Sequence, residues 1–264
     1  MTDSTVKVKI LTILNLIGFL LMILVNFLAN YLPINNKTTG ELSGQYPNFF
    51  TPAGFTFSIW GIIYLLLSGF IVYQLLTAFR QVRPSDFIMK IRYWFLISCL
   101  ANAGWIVAWH YERVILSLAI MLTLLFSLII IYDILKIGRS SVSRSEKYLV
   151  HLPFSIYFAW INVATVANVT VSLIDSGWDQ IGFSEQFWTF IILLVIIGLA
   201  LYYLIKRRDI YFLLVILWAF FGILVKSIRE LNQPDTGIEW LLIVGLILLC
   251  AIGIVQLIRK KVYV

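Results

Sequence analysis

Charged residues are scarce in this chain. Asp, Glu, Lys and Arg make up only 12% of its 264 residues, whereas 61% are hydrophobic. A soluble domain carries about twice that charged fraction. The composition therefore excludes a soluble globular protein. The net charge of +7 does not point to a nucleic-acid partner, because the basic residues fall in short clusters between apolar runs.

Metal-binding and catalytic side chains are also few. Cys99 and Cys250 both lie within apolar runs, so neither a disulfide framework nor a zinc site is indicated. His110 and His151 are predicted at opposite ends of two membrane spans, about 25–30 Å apart, too far to share one metal or haem iron. The sequence predicts no metal site, no catalytic residue and no certain cofactor.

Carboxylates are absent from the middle of every apolar run. Asp133 is the nearest case, and it lies one turn from the inner end of its run. Proton- and ion-coupled transporters usually carry a carboxylate or a broken helix near the midplane of the membrane. The absence weighs against that class of protein.

What the chain does have is eight long apolar runs. In a bilayer each run must satisfy its own backbone hydrogen bonds, which favours transmembrane helices. We therefore predict an all-α polytopic membrane protein with eight spans. They cover residues 10–32, 53–79, 91–111, 114–137, 148–174, 185–205, 210–227 and 238–258.

The distribution of Lys and Arg predicts the orientation. With the N-terminus inside, 16 of the 20 basic residues fall on the inner side, and Lys37, Arg113, Lys226 and Arg229 fall outside. By the positive-inside rule, both termini are cytoplasmic. The first apolar run is longer than a signal-peptide core, so we expect an uncleaved helix in the cell membrane, surrounded by lipid.

Amides and tryptophans converge on one predicted layer. Counting residues from the span ends places six side chains about 9–14 Å below the outer surface: Asn26, Trp60, Asn102, Trp105, Thr165 and Asn168. Such groups hydrogen-bond between transmembrane helices, or they line a pocket for a hydrophobic ligand. Both interpretations stay open.

The stretch 50–64 joins a polar outside loop to the second span. Pro52 favours a helix start there, because a first helical position needs no N–H donor. Trp60 and Tyr64 are four residues apart and share one helix face. A start at Pro52 places Trp60 about 12 Å below it, deeper than an interfacial aromatic belt. We interpret the pair as core packing or as one wall of a pocket.

Three short motifs resemble the tryptophan-rich sensory protein/translocator protein family, also called the peripheral benzodiazepine receptor family. They are Pro52 with Trp60-x3-Tyr64, Asn102-x2-Trp105, and Pro153 followed by aromatics, Ala164-Thr165 and Asn168. The resemblance covers roughly residues 10 to 174. It implies a five-helix core, residues 1–174, followed by a three-helix extension, residues 175–264.

The resemblance also implies a function. It predicts a pocket under the first outside loop that binds a porphyrin, haem or a sterol-like molecule, often in a homodimer. The expected ligand-binding residues are Trp60, Tyr64, Asn102, Trp105, Trp109, Thr165 and Asn168, with Phe49 and Phe50 in the lid.

Three other functions remain open at this stage. The last three helices could complete the path of a small-molecule permease. The protein could be a structural membrane partner that needs no ligand. Enzymatic breakdown of a tetrapyrrole is the third, although no catalytic residue is visible.

Overall fold

A computed structural model describes residues 3–31, 34–80, 86–230, 237–259 and 261–262. Four residues used in the sequence predictions, Leu32, Pro33, Arg83 and Lys260, lie outside these ranges. The described residues contain helices and no strand. The prediction of an all-α fold is therefore confirmed.

Eleven α-helices follow one another in the described part of the chain. Eight are the predicted apolar helices: seven are long and apolar enough to cross a membrane, and α5 is a shorter apolar helix. Their bounds are α1 Asp3–Tyr31, α2 Thr39–Gly44, α3 Ile59–Arg80, α4 Phe87–Ile91, α5 Trp94–His110, α6 Val114–Ile134, α7 Arg144–Glu146, α8 Leu152–Asp175, α9 Glu185–Lys206, α10 Ile210–Glu230 and α11 Ile238–Ile258.

The first five membrane helices form a closed ring. α1 packs against α3 and α5, α5 packs against α6, α6 packs against α8, and α8 returns to α3. The last three, α9, α10 and α11, pack against one another, and α10 also packs against α8. The structure thus has a five-helix bundle with three further helices attached along α8. The domain boundary between residues 174 and 175 stays a prediction.

Two predicted span starts are shifted by local backbone chemistry. The third span begins at Trp94 rather than at 91, because Arg92 adopts a positive φ of 50° that ends α4. The fifth begins with a π-helical turn, Lys147–His151, before α8. Pro153 in the first turn of α8 lacks the N–H that would continue a regular i to i−4 ladder.

The second predicted span, residues 53–79, agrees with a candidate membrane span of Gly54–Arg80, but its α-helix does not start at Pro52. Residues Gly54–Ser58 form a 3₁₀ turn, and the α-helix begins at Ile59. Trp60 is therefore the second residue of α3, not a residue two turns inside it. Groups on α10 bond to this segment: the Gly222 carbonyl accepts from Ala53 N–H at 3.1 Å, and the Trp218 indole donates to the Thr56 carbonyl at 3.0 Å.

The first loop folds over the ring, as predicted. We call the end of the bundle that carries it the outer end, following the charge-based orientation. Thr38 caps α2 through a capping box with Glu41. Leu42 of α2 packs with Trp109 of α5 and Val171 of α8 in a small buried cluster. The loop is therefore anchored across two helices of the ring.

The three added helices are fastened to the ring at the inner end as well. Asp209 is fully buried, and its carboxylate accepts hydrogen bonds from Tyr132 at 2.8 Å and Ser155 at 2.6 Å. The same carboxylate caps α10 by accepting from the backbone N–H groups of Tyr211 and Phe212. One side chain thus ties α6 and α8 to the start of α10.

Candidate functional site

Four of the predicted binding residues line one buried cavity at the outer end. Trp60, Trp105, Trp109 and Asn168 surround a space of about 40 Å³ beneath the first loop. The loop contributes Thr39, Ser43, Thr51, Pro52 and Phe57 to its roof and walls. This is large enough for a water molecule or a small functional group, and smaller than a porphyrin.

Aromatic rings form a continuous wall along this cavity. Trp60 stacks on Tyr64 at 5.6 Å and on Trp105 at 6.1 Å between ring centroids, and Trp105 stacks on Trp109 at 6.5 Å. Trp160 meets Trp60 edge-on at 6.3 Å. Offset stacks and edge-to-face pairs are the favourable aromatic arrangements. Four of these rings, those of Trp60, Trp105, Trp109 and Trp160, line the cavity.

Three indole N–H groups of the cavity have no hydrogen-bond partner among the described residues. The Nε1 atoms of Trp105, Trp109 and Trp160 are buried and unpaired, and so is the Thr51 hydroxyl. The three tryptophans are 6%, 6% and 1% exposed. Buried donors are nearly always paired in folded proteins. Three residues that line one cavity therefore carry buried donors without a partner among the described residues.

A second, larger cavity lies on the other side of Trp60. It encloses about 420 Å³ and is lined by Tyr64, Asn26 and Asn30, together with residues of the loop. Thr39, Phe57 and Trp60 line both cavities and separate them. The Tyr64 hydroxyl is buried, and no described residue is its hydrogen-bond partner.

Asn102 lies between helices instead of lining either cavity. Its side-chain oxygen accepts from Asn26 on α1 at 2.7 Å, and its amide nitrogen donates to the Tyr157 hydroxyl on α8 at 3.0 Å. It is fully buried. The geometry of Asn102 therefore matches the interhelical interpretation of the polar layer.

The remaining predicted residues are placed around the cavity in different ways. Asn168 lines it and also accepts a hydrogen bond from Ser117 on α6 at 3.3 Å. The Thr165 hydroxyl donates within its own helix to the Ile161 carbonyl at 2.7 Å. Phe49 and Phe50 are buried in the lid, but the lid residues that line the cavity are Thr51, Pro52 and Phe57.

Trp160 is a cavity residue that the sequence prediction omitted. It lies four and eight residues before Ala164 and Asn168, and all three line the cavity. Residues at that spacing share one face of a helix. The spacing was therefore a sufficient signal to include Trp160.

Polar contacts of the loop fix its outer surface. Tyr46 packs on Trp109 at 6.3 Å and donates to the Asp175 carboxylate at 3.2 Å. Burial, with the nearby Asp175 charge, raises the pKa of Tyr46, so the phenol keeps its proton and remains a donor. Asn35 donates to the His110 carbonyl at 3.0 Å. These bonds hold the loop over α5 and α8.

Of the residue types that ligate haem iron, the described residues of the two cavities supply a tyrosine, Tyr64, in the larger cavity. Neither one is lined by His, Cys or Met, and among the described residues no group of three His, Cys, Asp or Glu side chains could hold a metal. His110 instead bonds to the Ile106 carbonyl within α5 at 2.8 Å.

The fold and the site define a class: a polytopic α-helical membrane protein with an aromatic cavity at one end of a five-helix ring. The chain belongs to the family described as TSPO-like protein, whose model matches residues 12–257. The match confirms the resemblance seen in the three motifs. It also continues past residue 174 and includes α9, α10 and nearly all of α11. No curated protein and no solved structure matches the chain.

Proposed function

We propose that this integral membrane protein binds a hydrophobic ligand in its aromatic cavity and acts as a binding or sensory protein. The ligand class is a tetrapyrrole or a similar flat aromatic or sterol-like molecule. The observation that supports this most is the set of three unpaired indole N–H groups around one cavity. The proposal includes a homodimer in the cell membrane with both termini cytoplasmic.

The chemistry of the cavity suits a flat ring that carries acceptor groups. The Trp60 and Trp105 rings offer a surface for stacking. A stacked aromatic pair contributes about 0.5–1.5 kcal/mol beyond the burial of its area. A ligand carbonyl or carboxyl oxygen would accept from the indole N–H groups, each such bond contributing about 1 kcal/mol. Binding would thus use shape and donors together.

Size sets a condition on this proposal. Sites for drug-sized ligands enclose about 300–1,000 Å³, which the 40 Å³ cavity does not reach and the 420 Å³ cavity does. A porphyrin would therefore occupy both spaces, with Trp60 rotated out of the partition between them. Trp60 is accordingly the residue whose replacement should change binding most.

The experiment is a titration of the purified protein with a metal-free porphyrin, followed by tryptophan quenching. Wild type is compared with Trp60→Ala and with the control Trp240→Phe, since Trp240 lies on α11 and is 62% exposed. We expect saturable binding in the wild type. Trp60→Ala should change the dissociation constant by at least about tenfold, and Trp240→Phe should leave it unchanged. Non-saturable quenching of equal strength in all three would mean partitioning into detergent and would refute the proposal.

A further inference from the structure

One part of the cavity roof, residues 48–58, bonds to the added helices α9 and α10. We call residues 48–58 the lid segment; it includes Thr51, Pro52 and Phe57 of the cavity wall. Its Phe49 N–H donates to the Glu185 carboxylate on α9 at 3.1 Å. Its Asn48 carbonyl accepts from the Lys226 ammonium on α10 at 3.4 Å. The outer end of α9 and the outer end of α10 therefore each contact the beginning of the lid segment.

The middle of the lid segment bonds to the backbone and an indole of α10. The Ala53 N–H donates to the Gly222 carbonyl at 3.1 Å, and the Trp218 indole donates to the Thr56 carbonyl at 3.0 Å. A helical carbonyl already accepts one bond inside its helix, so Gly222 uses its second lone pair here. These bonds are directional, and they align the lid segment along α10.

Gly222 permits this contact because it has no side chain. A Cβ at that position would lie 2.0 Å from the Thr56 hydroxyl oxygen and 2.9 Å from its methyl carbon. Phe55 adds ring contacts with Trp218 at 5.5 Å and with Phe221 at 6.0 Å. The surface of α10 around Gly222 is therefore shaped to receive residues 53–56.

We infer that α9 and α10 position the lid segment and thereby set the access of ligand to the cavity. The three-helix extension is then a functional part of the binding site, although most cavity walls come from the ring. The part of this inference that concerns ligand entry rests on the proposed function. The part that concerns the position of the lid segment does not.

The test uses the full chain with Gly222→Ala and a matched control, Gly198→Ala. Gly198 is a helical glycine of α9 whose added Cβ would meet nothing within 4 Å. Hydrogen exchange of residues 48–58 is measured first, in the absence of ligand. We expect exchange in Gly222→Ala to rise by about fivefold or more, the factor that one lost hydrogen bond corresponds to. We expect no change in Gly198→Ala.

A milder variant covers the case in which Gly222→Ala does not fold. Trp218→Phe removes the N–H that bonds to Thr56 and keeps a ring against Phe55, so exchange at residues 54–58 should rise by about threefold or more. Unchanged exchange of the lid segment in the folded variants would overturn the inference.

Ligand kinetics separate this inference from the proposed function. If both hold, association and dissociation of a metal-free porphyrin are each faster in Gly222→Ala than in Gly198→Ala. Increased exchange without porphyrin binding in any variant would support the positioning role and refute the proposed ligand. Normal binding with unchanged exchange would refute the positioning role alone.

Discussion

The side-chain amide of Asn26 on α1 donates a hydrogen bond to the side-chain oxygen of Asn102 on α5 at 2.7 Å. Asn102 in turn donates to the Tyr157 hydroxyl on α8 at 3.0 Å. The chain of three side chains crosses the interior of the ring between helices that are not all neighbours in sequence. It keeps α1, α5 and α8 in register directly beside the aromatic wall.

Replacing Asn102 should affect stability more than ligand binding. Asn102→Ala leaves Asn26 and Tyr157 without their partner, and we expect a loss of about 1–2 kcal/mol in the free energy of unfolding. Denaturation of the purified protein with SDS measures it. A double-mutant cycle with Asn26→Ala should give a coupling of about 0.6 kcal/mol or more. A coupling of zero would show that this hydrogen bond does not contribute.

Asp209 should be the most important single side chain at the inner end. Asp209→Ala removes the acceptor of four donors on α6, α8 and α10, and we expect a destabilisation of about 3 kcal/mol. Thermal unfolding in detergent measures it. The control is Asp133→Asn, which weakens the ion pair between the exposed Asp133 and the largely buried Arg207 and should cost less than Asp209→Ala. Equal effects of the two changes would contradict this account.

Gly138 should be intolerant of any side chain. It has a φ of +79°, and a Cβ there would lie 1.7 Å from the Arg207 carbonyl oxygen. Backbone strain alone costs an alanine about 1–2 kcal/mol, and the clash adds to it by separating the inner loops of the ring and the extension. Gly177→Ala is the control, because its φ is +67° with nothing within 4 Å. We expect Gly138→Ala to lower the unfolding temperature clearly more than Gly177→Ala; equal shifts would contradict the close approach.

The predicted orientation can be tested by cysteine labelling in whole cells. In a chain with Cys99→Ala and Cys250→Ala, Gly40→Cys in the first loop and Arg139→Cys after α6 are both exposed positions at opposite ends of the bundle. A membrane-impermeant maleimide should label Gly40→Cys in intact cells. Arg139→Cys should react only after permeabilisation. The reverse pattern would invert the assigned topology.

Hydropathy and depth predicted the general architecture well because both are local properties. Each apolar run had to become a helix in a bilayer, and the positions of Trp60, Trp105 and Asn168 within their runs placed them at one depth. The structure brings these three residues to the same cavity. Spacing along α8 contained the information needed to add Trp160.

Partners set by tertiary packing could not be predicted in this way. Nothing local in the sequence shows that Asn102 is paired with Tyr157, so the sequence leaves open whether its amide lines a pocket or lies between helices. The 3₁₀ turn before α3 likewise depends on Gly222 and Trp218, which lie more than 160 residues further along the chain. The contacts between the three-helix extension and the lid segment arise where helices distant in sequence pack together, and no local pattern in the sequence shows them.

The most direct test of the central claim is the affinity of a metal-free porphyrin for a Trp105→Phe/Trp160→Phe variant relative to wild type. Phenylalanine keeps an aromatic ring at each position and removes the unpaired N–H donor together with one ring of the indole. If these donors bind the ligand, two lost hydrogen bonds should raise the dissociation constant by roughly 10- to 30-fold. An unchanged dissociation constant in a variant of wild-type stability would contradict recognition of the ligand by the indole donors.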